Sequence, residues 1–239
     1  MSSSEHPPLE VKVWSPMACY TRPESKVERV SYPVPTPSAA RGVLEAIFWK
    51  PEFSWRVREV AVLKPIRYLS ILRNEVEVKA GTGAGISITD SRQQRHTLAL
   101  SDVAYIIRAD IALRSHADAD TAKYRDQFRR HVEKGRCFQR PYLGCREFAA
   151  DFAPTDGTEQ PINDDRDLGL MLFDMVWRQD GGKALTFFRH GGRTGDKTGS
   201  DRERREASGT ATPVFFQAAL EQGVLRVPDA LYGAQEALA

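Results

Sequence analysis

Two hydrophobic periodicities take turns along the first 152 residues, and their order limits the fold more than any other feature of the chain. Leu9-Glu-Val-Lys-Val-Trp14 alternates apolar and polar residues, the period-2 pattern of a half-buried strand. After a Pro-rich stretch (Pro33, Pro35, Pro37), Ser38 is expected to cap a helix. Its apolar positions Ala40, Val43, Leu44, Ile47 and Phe48 recur three and four apart, and Pro51 is its expected stop. Phe53 to Ile66 reads as a long strand, with Phe53, Trp55 and Val57 on one face and Arg56 and Arg58 on the other. A linker containing Gly81-Thr-Gly-Ala-Gly85 separates it from Val103–Leu113, a strand rich in β-branched residues. Asp120 then opens a helix to about Lys134, with Tyr124, Phe128 and Val132 as its apolar stripe and Gly135 as its end. Leu143 to Phe152 reads as a further strand. Strand, helix, strand, strand, helix, strand is the split βαβ order of an α+β, ferredoxin-like sandwich. RNA-recognition modules use that architecture, but so do many unrelated functions.

Beyond about Pro154 the pattern changes. Leu168–Trp177, Pro213–Gln217 and Gly223–Val227 look like strands, while Gly191 to Gly209 is poor in apolar residues and reads as a mobile loop. The expected organisation is therefore a ferredoxin-like domain over 1–152 and a smaller β-rich domain over 153–239. No apolar run approaches the roughly 18 residues of a membrane span. The N-terminus has neither the basic start nor the apolar core of a secretory signal. Cys19, Cys137 and Cys145 cannot all pair, which fits free thiols in a reducing cytoplasm.

Several tempting motifs fail on chemistry. Gly191-Gly-Arg-Thr-Gly-Asp-Lys-Thr198 is close to a phosphate-cradling loop, but Asp196 sets a carboxylate where the phosphates would lie. Gly81–Gly85 leads into Ile-Ser-Ile-Thr rather than a helix, so it is no dinucleotide fingerprint. Asn163-Asp-Asp-Arg-Asp167 has no His or Cys nearby and reads as a solvated turn rather than a metal site. The five histidines show no ligand spacing. Neither a metal nor a cofactor is expected.

Charge is more informative in its distribution than in its total. The net charge of +2 is far from that of a bulk nucleic-acid binder, yet seven basic residues face only two acidic ones between Thr121 and Arg140. Phe48-Trp49-Lys50 ends the first helix and Lys123-Tyr124 opens the second, and a split βαβ fold can bring those ends together. Pattern alone reads Phe48 and Tyr124 as core, Trp49 as an amphipathic edge, and Lys50 and Lys123 as solvent charges.

Longer stretches resemble a known family. Val27–Ile47 followed by Trp49-Lys-Pro51, Leu63-Lys-Pro-Ile66, Arg73-Asn-Glu-Val76, Arg92-Gln-Gln-Arg95, Leu143-Gly-Cys-Arg-Glu-Phe148 and Asp167-Leu-Gly169 are similar, in order, to the Cas-five subunit of type I-C CRISPR systems. The resemblance spans about residues 9–228. It implies a ferredoxin-like domain with a long β-hairpin and a small C-terminal antiparallel sheet. It also implies an enzyme that cuts CRISPR precursor RNA at the base of each repeat hairpin without a metal. Such a subunit stays in the surveillance complex on the crRNA 5′ handle, beside the other subunits and away from any membrane. Whether duplex DNA is also held is left open.

Metal-free cutting uses the ribose 2′-OH as nucleophile and leaves a 2′,3′-cyclic phosphate. It calls for a base, an acid and a fixed cation beside the phosphate. The family supplies a Tyr or His before Trp-Lys and a Lys-His pair at the head of the second helix. Here Lys123 matches, while Phe48 and Tyr124 stand at the other two positions. A phenyl ring cannot move a proton, and an ordinary phenol is a poor base at neutral pH. His131 lies two turns past Lys123, about 12 Å by helix rise, so His116, in the loop before the helix, is the freer imidazole. Lys123, Tyr124, the substituted Phe48 and His116 are thus the candidate catalytic set. Arg56, Arg58, Arg92, Arg95, Arg129, Arg130, Lys134 and Lys50 are candidate phosphate contacts, with Trp49 as a stacking surface. A second reading keeps binding and drops cutting: an RNA-binding assembly subunit of the same complex.

Overall fold

The computed structural model describes residues 6–25, 27–76, 88–179, 185–190 and 204–233. Strand β1 (Leu9–Ala18) is followed by the short β2 (Arg29–Val30), helix α1 (Pro37–Ile47), and strands β3 (Phe53–Val62) and β4 (Tyr68–Val76). One helical turn, α2 (Ile88–Ser91), leads into β5 (Arg92–Leu113), which is 22 residues long. The C-terminal half of β5 lies antiparallel between β1 and β3, and its N-terminal half pairs with β4 as a two-stranded ribbon. Leu9, Val11 and Val13 share the buried face with Tyr105, Ile107 and Ala109 and with Phe53, Trp55 and Val57.

Helix α1 buries Ala40, Val43, Leu44 and Ile47, the expected stripe. Its cap is Thr36 rather than Ser38: the Thr36 hydroxyl accepts from the Ala39 N–H at 3.2 Å, and Pro37 fits the first turn with its fixed φ. The helix also stops before Pro51, because Phe48 is already extended at φ −149°, ψ 119°.

Helix α3 (Thr121–Glu133) has the expected cap and stripe. Asp120 accepts from the Lys123 N–H at 3.1 Å, and Tyr124, Phe128 and Val132 are buried. At its end Gly135 takes φ +59°, while the Arg136 N–H reaches the His131 carbonyl (2.8 Å) and the Gly135 N–H reaches that of Val132 (3.2 Å). That double bond closes the last turn. Because the side chain of Asp120 satisfies a donor that the helix leaves open, Asp120→Ala should lower stability by about 1 kcal/mol in urea titration.

Three expected elements differ. The strand from Phe53 ends at Val62, short of Ile66. Leu143–Phe152 forms mostly a turn, in which the Leu143 N–H bonds to the Phe148 carbonyl and Gly144 sits at φ +85°. A Cβ on Gly144 would lie 2.0 Å from the Cys19 carbonyl oxygen. Only β6 (Asp151–Ala153) is strand there, paired with β1. The third difference concerns the loop at 191–209. Residues 191–203, with the phosphate-loop look-alike, lie outside the described residues, as does Gly81–Gly85. Residues 204–209 belong to a strand.

The expected strands Leu168–Trp177 and Pro213–Gln217 lie within β7 (Arg166–Gln179) and β9 (Arg204–Glu221), Gly223–Val227 shortens to β10 (Val224–Arg226), and β8 (Leu185–His190) adds to them. Gln222 and Gly223, both at positive φ, turn β9 into β10, which pairs with β3. The strand order is β6-β1-β5-β3-β10-β9-β7 in one sheet. The fold is α+β and sheet-rich. Helices α1 and α3 pack against one aromatic cluster: Phe128 meets Trp55 at 4.8 Å and Phe48 meets Phe53 at 5.6 Å.

Candidate functional site

The head of α3 meets the end of α1 through Phe53, whose ring lies 5.6 Å from that of Phe48 and 5.3 Å from that of Tyr124. Phe48 is 3% exposed, and its backbone carbonyl accepts from the Trp55 indole N–H at 3.0 Å. His131 packs against the Phe48 ring edge-on, 5.2 Å between ring centroids. The His131 Nδ1 bonds to the Ile47 carbonyl at 3.1 Å. A carbonyl only accepts, so Nδ1 carries the proton and Nε2 keeps the lone pair when the ring is neutral. Trp49 and Lys50, the next two residues, are half-buried.

Tyr124 is 2% exposed, and its hydroxyl donates to Asp118 at 3.3 Å. Burial pushes its phenol up, and the charges of Glu52 and Asp118 add to that. At neutral pH Tyr124 therefore holds its proton, and only proton donation is open to it. Neither Glu52 nor Asp118 carries a signal in the sequence that ties it to Tyr124.

Lys123 is exposed, and its ammonium sits 5.6 Å from the centroid of the Tyr124 ring. It makes no ion pair among the described residues. With Asp126, Arg129, Arg130 and Glu133 it lines a groove of about 480 Å³ along α3. Arg129 pairs with Asp126 at 3.3 Å, whereas Arg130 and the exposed Lys134 have no ion-pair partner among the described residues. The helix N-terminus adds its partial positive charge at the Lys123 end. His116 lies on the loop leading into α3, exposed, with Nε2 bonded to the Pro51 carbonyl at 3.0 Å. By the same reasoning Nδ1 of His116 is the free lone pair when the ring is neutral.

The remaining candidate cations lie elsewhere. Arg56 and Arg58 fall outside the α3 groove, on β3. The Arg56 guanidinium lies 5.7 Å from the Tyr232 ring, and Arg58 is clamped by Asp110 (2.6 Å) and by Asp229. Across the strands, Glu10, Arg108, Glu59, Arg226 and Glu221 form a chain of ion pairs, so the sheet's charges largely neutralise one another. Arg92 and Arg95 belong to the β4–β5 ribbon. Arg95 pairs with Glu75 at 3.1 Å, and Glu75 also holds Arg73. Arg92 is exposed opposite Val76.

Sequence reading missed a thiol pair at the base of this ribbon. The Cys19 hydrogen bond and the Arg29 guanidinium, 3.2 Å away, draw the Cys145 thiol down, against the effect of burial. Among the described residues no group of three or more His, Cys, Asp or Glu is placed to hold a metal ion. The carboxylates of 163–167 instead fasten turns: Asp165 accepts from the Gln222 N–H at 2.6 Å and Asp167 from the Gly169 N–H at 2.8 Å.

Comparison with known proteins adds a separate line. Residues 8–228 match the model of a family described as CRISPR-associated protein (Cas_Cas5). A Thermus thermophilus protein named CRISPR pre-crRNA endoribonuclease Cas5d is 49% identical over 225 residues, 94% of this chain and 93% of the relative. A Mannheimia succiniciproducens protein of the same name is 40% identical over 242 residues, covering 92% and 94%. Among solved structures, one described as a CRISPR-associated protein superposes with TM-score 0.61 at 21% identity, covering 92% of this chain and 91% of that one. No helix among the described residues is long and apolar enough to cross a membrane.

Proposed function

The chain belongs to the CRISPR-associated Cas5 family, in its type I-C branch, and on that ground we propose that it is the endoribonuclease that cuts precursor CRISPR RNA in its repeat hairpin. The observation that carries the proposal is the Lys123 ammonium, exposed and without an ion-pair partner among the described residues, in one groove with Arg129 and Arg130. A phosphate entering at the head of that groove meets two cations, Lys123 and Arg130, that no carboxylate among the described residues pairs, although Asp126 and Glu133 line the groove too.

The reaction we propose needs no metal. The ribose 2′-OH attacks the adjacent phosphorus, and the 5′-oxygen of the next nucleotide leaves with a proton. Lys123 stabilises the charge that grows on the phosphorane oxygens. His116 is the candidate for proton transfer through Nδ1, and Tyr124, which keeps its proton, is restricted to the acid role. Phe48 contributes packing and no proton. Arg130, Lys134 and Arg129 hold the strand on either side of the break, Lys50 and Trp49 extend the surface at the end of α1, and Arg92 and Arg95 reach RNA from the ribbon. Arg56 and Arg58 would contact RNA only by exchanging carboxylate partners for phosphates.

With this reading go a ferredoxin-like N-terminal part over 1–152 and a β-rich part over 153–239, retention on the crRNA 5′ handle among the other subunits of a type I-C surveillance complex, and a cytoplasmic location. A second reading, RNA binding without cutting, has its own support in the burial of both positions where the family carries proton-transfer groups. Incubation with the cognate repeat hairpin in EDTA separates the two. Products ending in 2′,3′-cyclic phosphate and 5′-hydroxyl are the expected result. Bound but uncut RNA at every pH selects the second reading, and cutting that disappears on chelation overturns the metal-free chemistry.

A further inference from the structure

Beside the C-terminal half of α3 lies a cavity of about 490 Å³ that the cleavage chemistry does not use. Its size is that of a small-ligand pocket. Pro8, Leu9 and Pro154 form one wall, and Phe128 and Val132 from α3 form part of the other. The N-terminal wall is held in place by Arg125, whose guanidinium donates to the Pro7 carbonyl at 2.6 Å. Among the polar side chains that line it, Arg108 and Glu10 are bonded to each other at 3.1 Å, with the Thr155 hydroxyl on the second Glu10 oxygen. Arg129 and Glu133 line both this cavity and the cationic groove that starts at Lys123, so the two are neighbours along one helix. By helix rise, Lys123 and Arg129 are about 9 Å apart along the axis.

We infer that this cavity receives one unstacked nucleobase of the RNA strand whose phosphates lie in the α3 groove. The inference rests on the RNA-cutting reading and names a specificity site for it. Apolar walls suit the faces of a base, a guanidinium beside a carboxylate suits its edge, and Arg129 at the shared rim suits the phosphate that follows. Guanine presents the matching complement on one edge, O6 toward Arg108 and the N1–H and N2–H donors toward Glu10. A lipid tail would use the walls and nothing of the polar edge that Arg108 and Glu10 present beside them.

The test uses repeat RNAs that each carry one abasic nucleotide, bound to the full-length protein in EDTA on ice. One position, a guanine in the intact repeat, should lose roughly tenfold or more in affinity, the scale of a lost base contact. Pro154→Trp, at an exposed wall position, should fill the cavity, lose the same factor on intact RNA and become indifferent to the abasic substitution. Equal relative affinities of variant and wild type across the whole abasic series overturn the inference. So that a misfolded variant cannot decide the matter, 2-aminopurine at successive positions is read in the wild type alone. Emission altered by binding at the same single position supports the site, and no such position removes it. RNA that is bound and cut normally without any coupled position defeats the pocket alone, whereas RNA that the wild type neither binds nor cuts defeats both readings.

Discussion

Replacing Lys123 by alanine is expected to slow cleavage of the repeat RNA by about 10²–10³, a loss of about 2.7–4 kcal/mol of transition-state stabilisation. Affinity for uncut RNA should stay within about threefold, because one phosphate contact among several is removed. The two effects separate for a physical reason. A ground-state phosphate diester carries one negative charge, which Arg129 and Arg130 in the groove can share, with Lys134 just past the end of the helix. The phosphorane adds a second charge at one place, and the ammonium at the head of α3 is the group we assign to it. Its cation–π contact with Tyr124 and the main-chain bond to Asp120 fix that head without neutralising the ammonium. Single-turnover kinetics with saturating protein in EDTA isolate the chemical step. Lys123→Arg should recover part of the rate, since charge is kept and its position altered. Equal single-turnover rates for Lys123→Ala and the wild type would take Lys123 out of the mechanism.

What could be read from the sequence was whatever depends on neighbours a few residues apart. Asp120, the stripe of Tyr124, Phe128 and Val132, and Gly135 define α3 because cap, packing face and C-terminal turn are all local. The C-terminal half of β5 was legible because it is buried almost throughout, which keeps it apolar and rich in β-branched residues. The ribbon was not. Tyr68, Leu69, Leu72 and Val76 of β4 are all exposed, so no buried face imposes a period, and the ribbon is held by ladder bonds to β5 and by pairs such as Arg95–Glu75. Leu143, Cys145 and Phe148 misled for the converse reason: they are buried by a turn folded against Cys19, and no strand is needed to bury them. The site divides in the same way. Lys123 and its basic neighbours share one helix and could be placed together. That Arg58 is engaged by Asp229, or that Tyr124 faces Asp118 and Glu52, follows only from the closed fold.

The largest stability loss is expected at a pair far from the groove. Asp174 on β7 is 5% exposed and accepts two bonds from the Arg41 guanidinium of α1, one of them at 3.1 Å, together with the Met175 N–H at 2.8 Å. Burial alone would favour a neutral Arg41, but the charges of Asp174 and Glu45 outweigh it and raise its pKa above the ordinary value. Asp174→Ala leaves that cation with Glu45 alone, at 3.5 Å, and should cost about 3–5 kcal/mol in denaturant unfolding. The pair joins α1 to the C-terminal strands, and α1 ends in Phe48-Trp49-Lys50, so RNA binding should weaken before the protein unfolds globally. Removing both charges at once, as Arg41→Met with Asp174→Leu, should restore most of the lost stability, because two apolar side chains of similar size need no solvation. If the double variant is no more stable than Asp174→Ala, the loss comes from the strand irregularity at Leu172–Asp174 instead of from an unpaired charge.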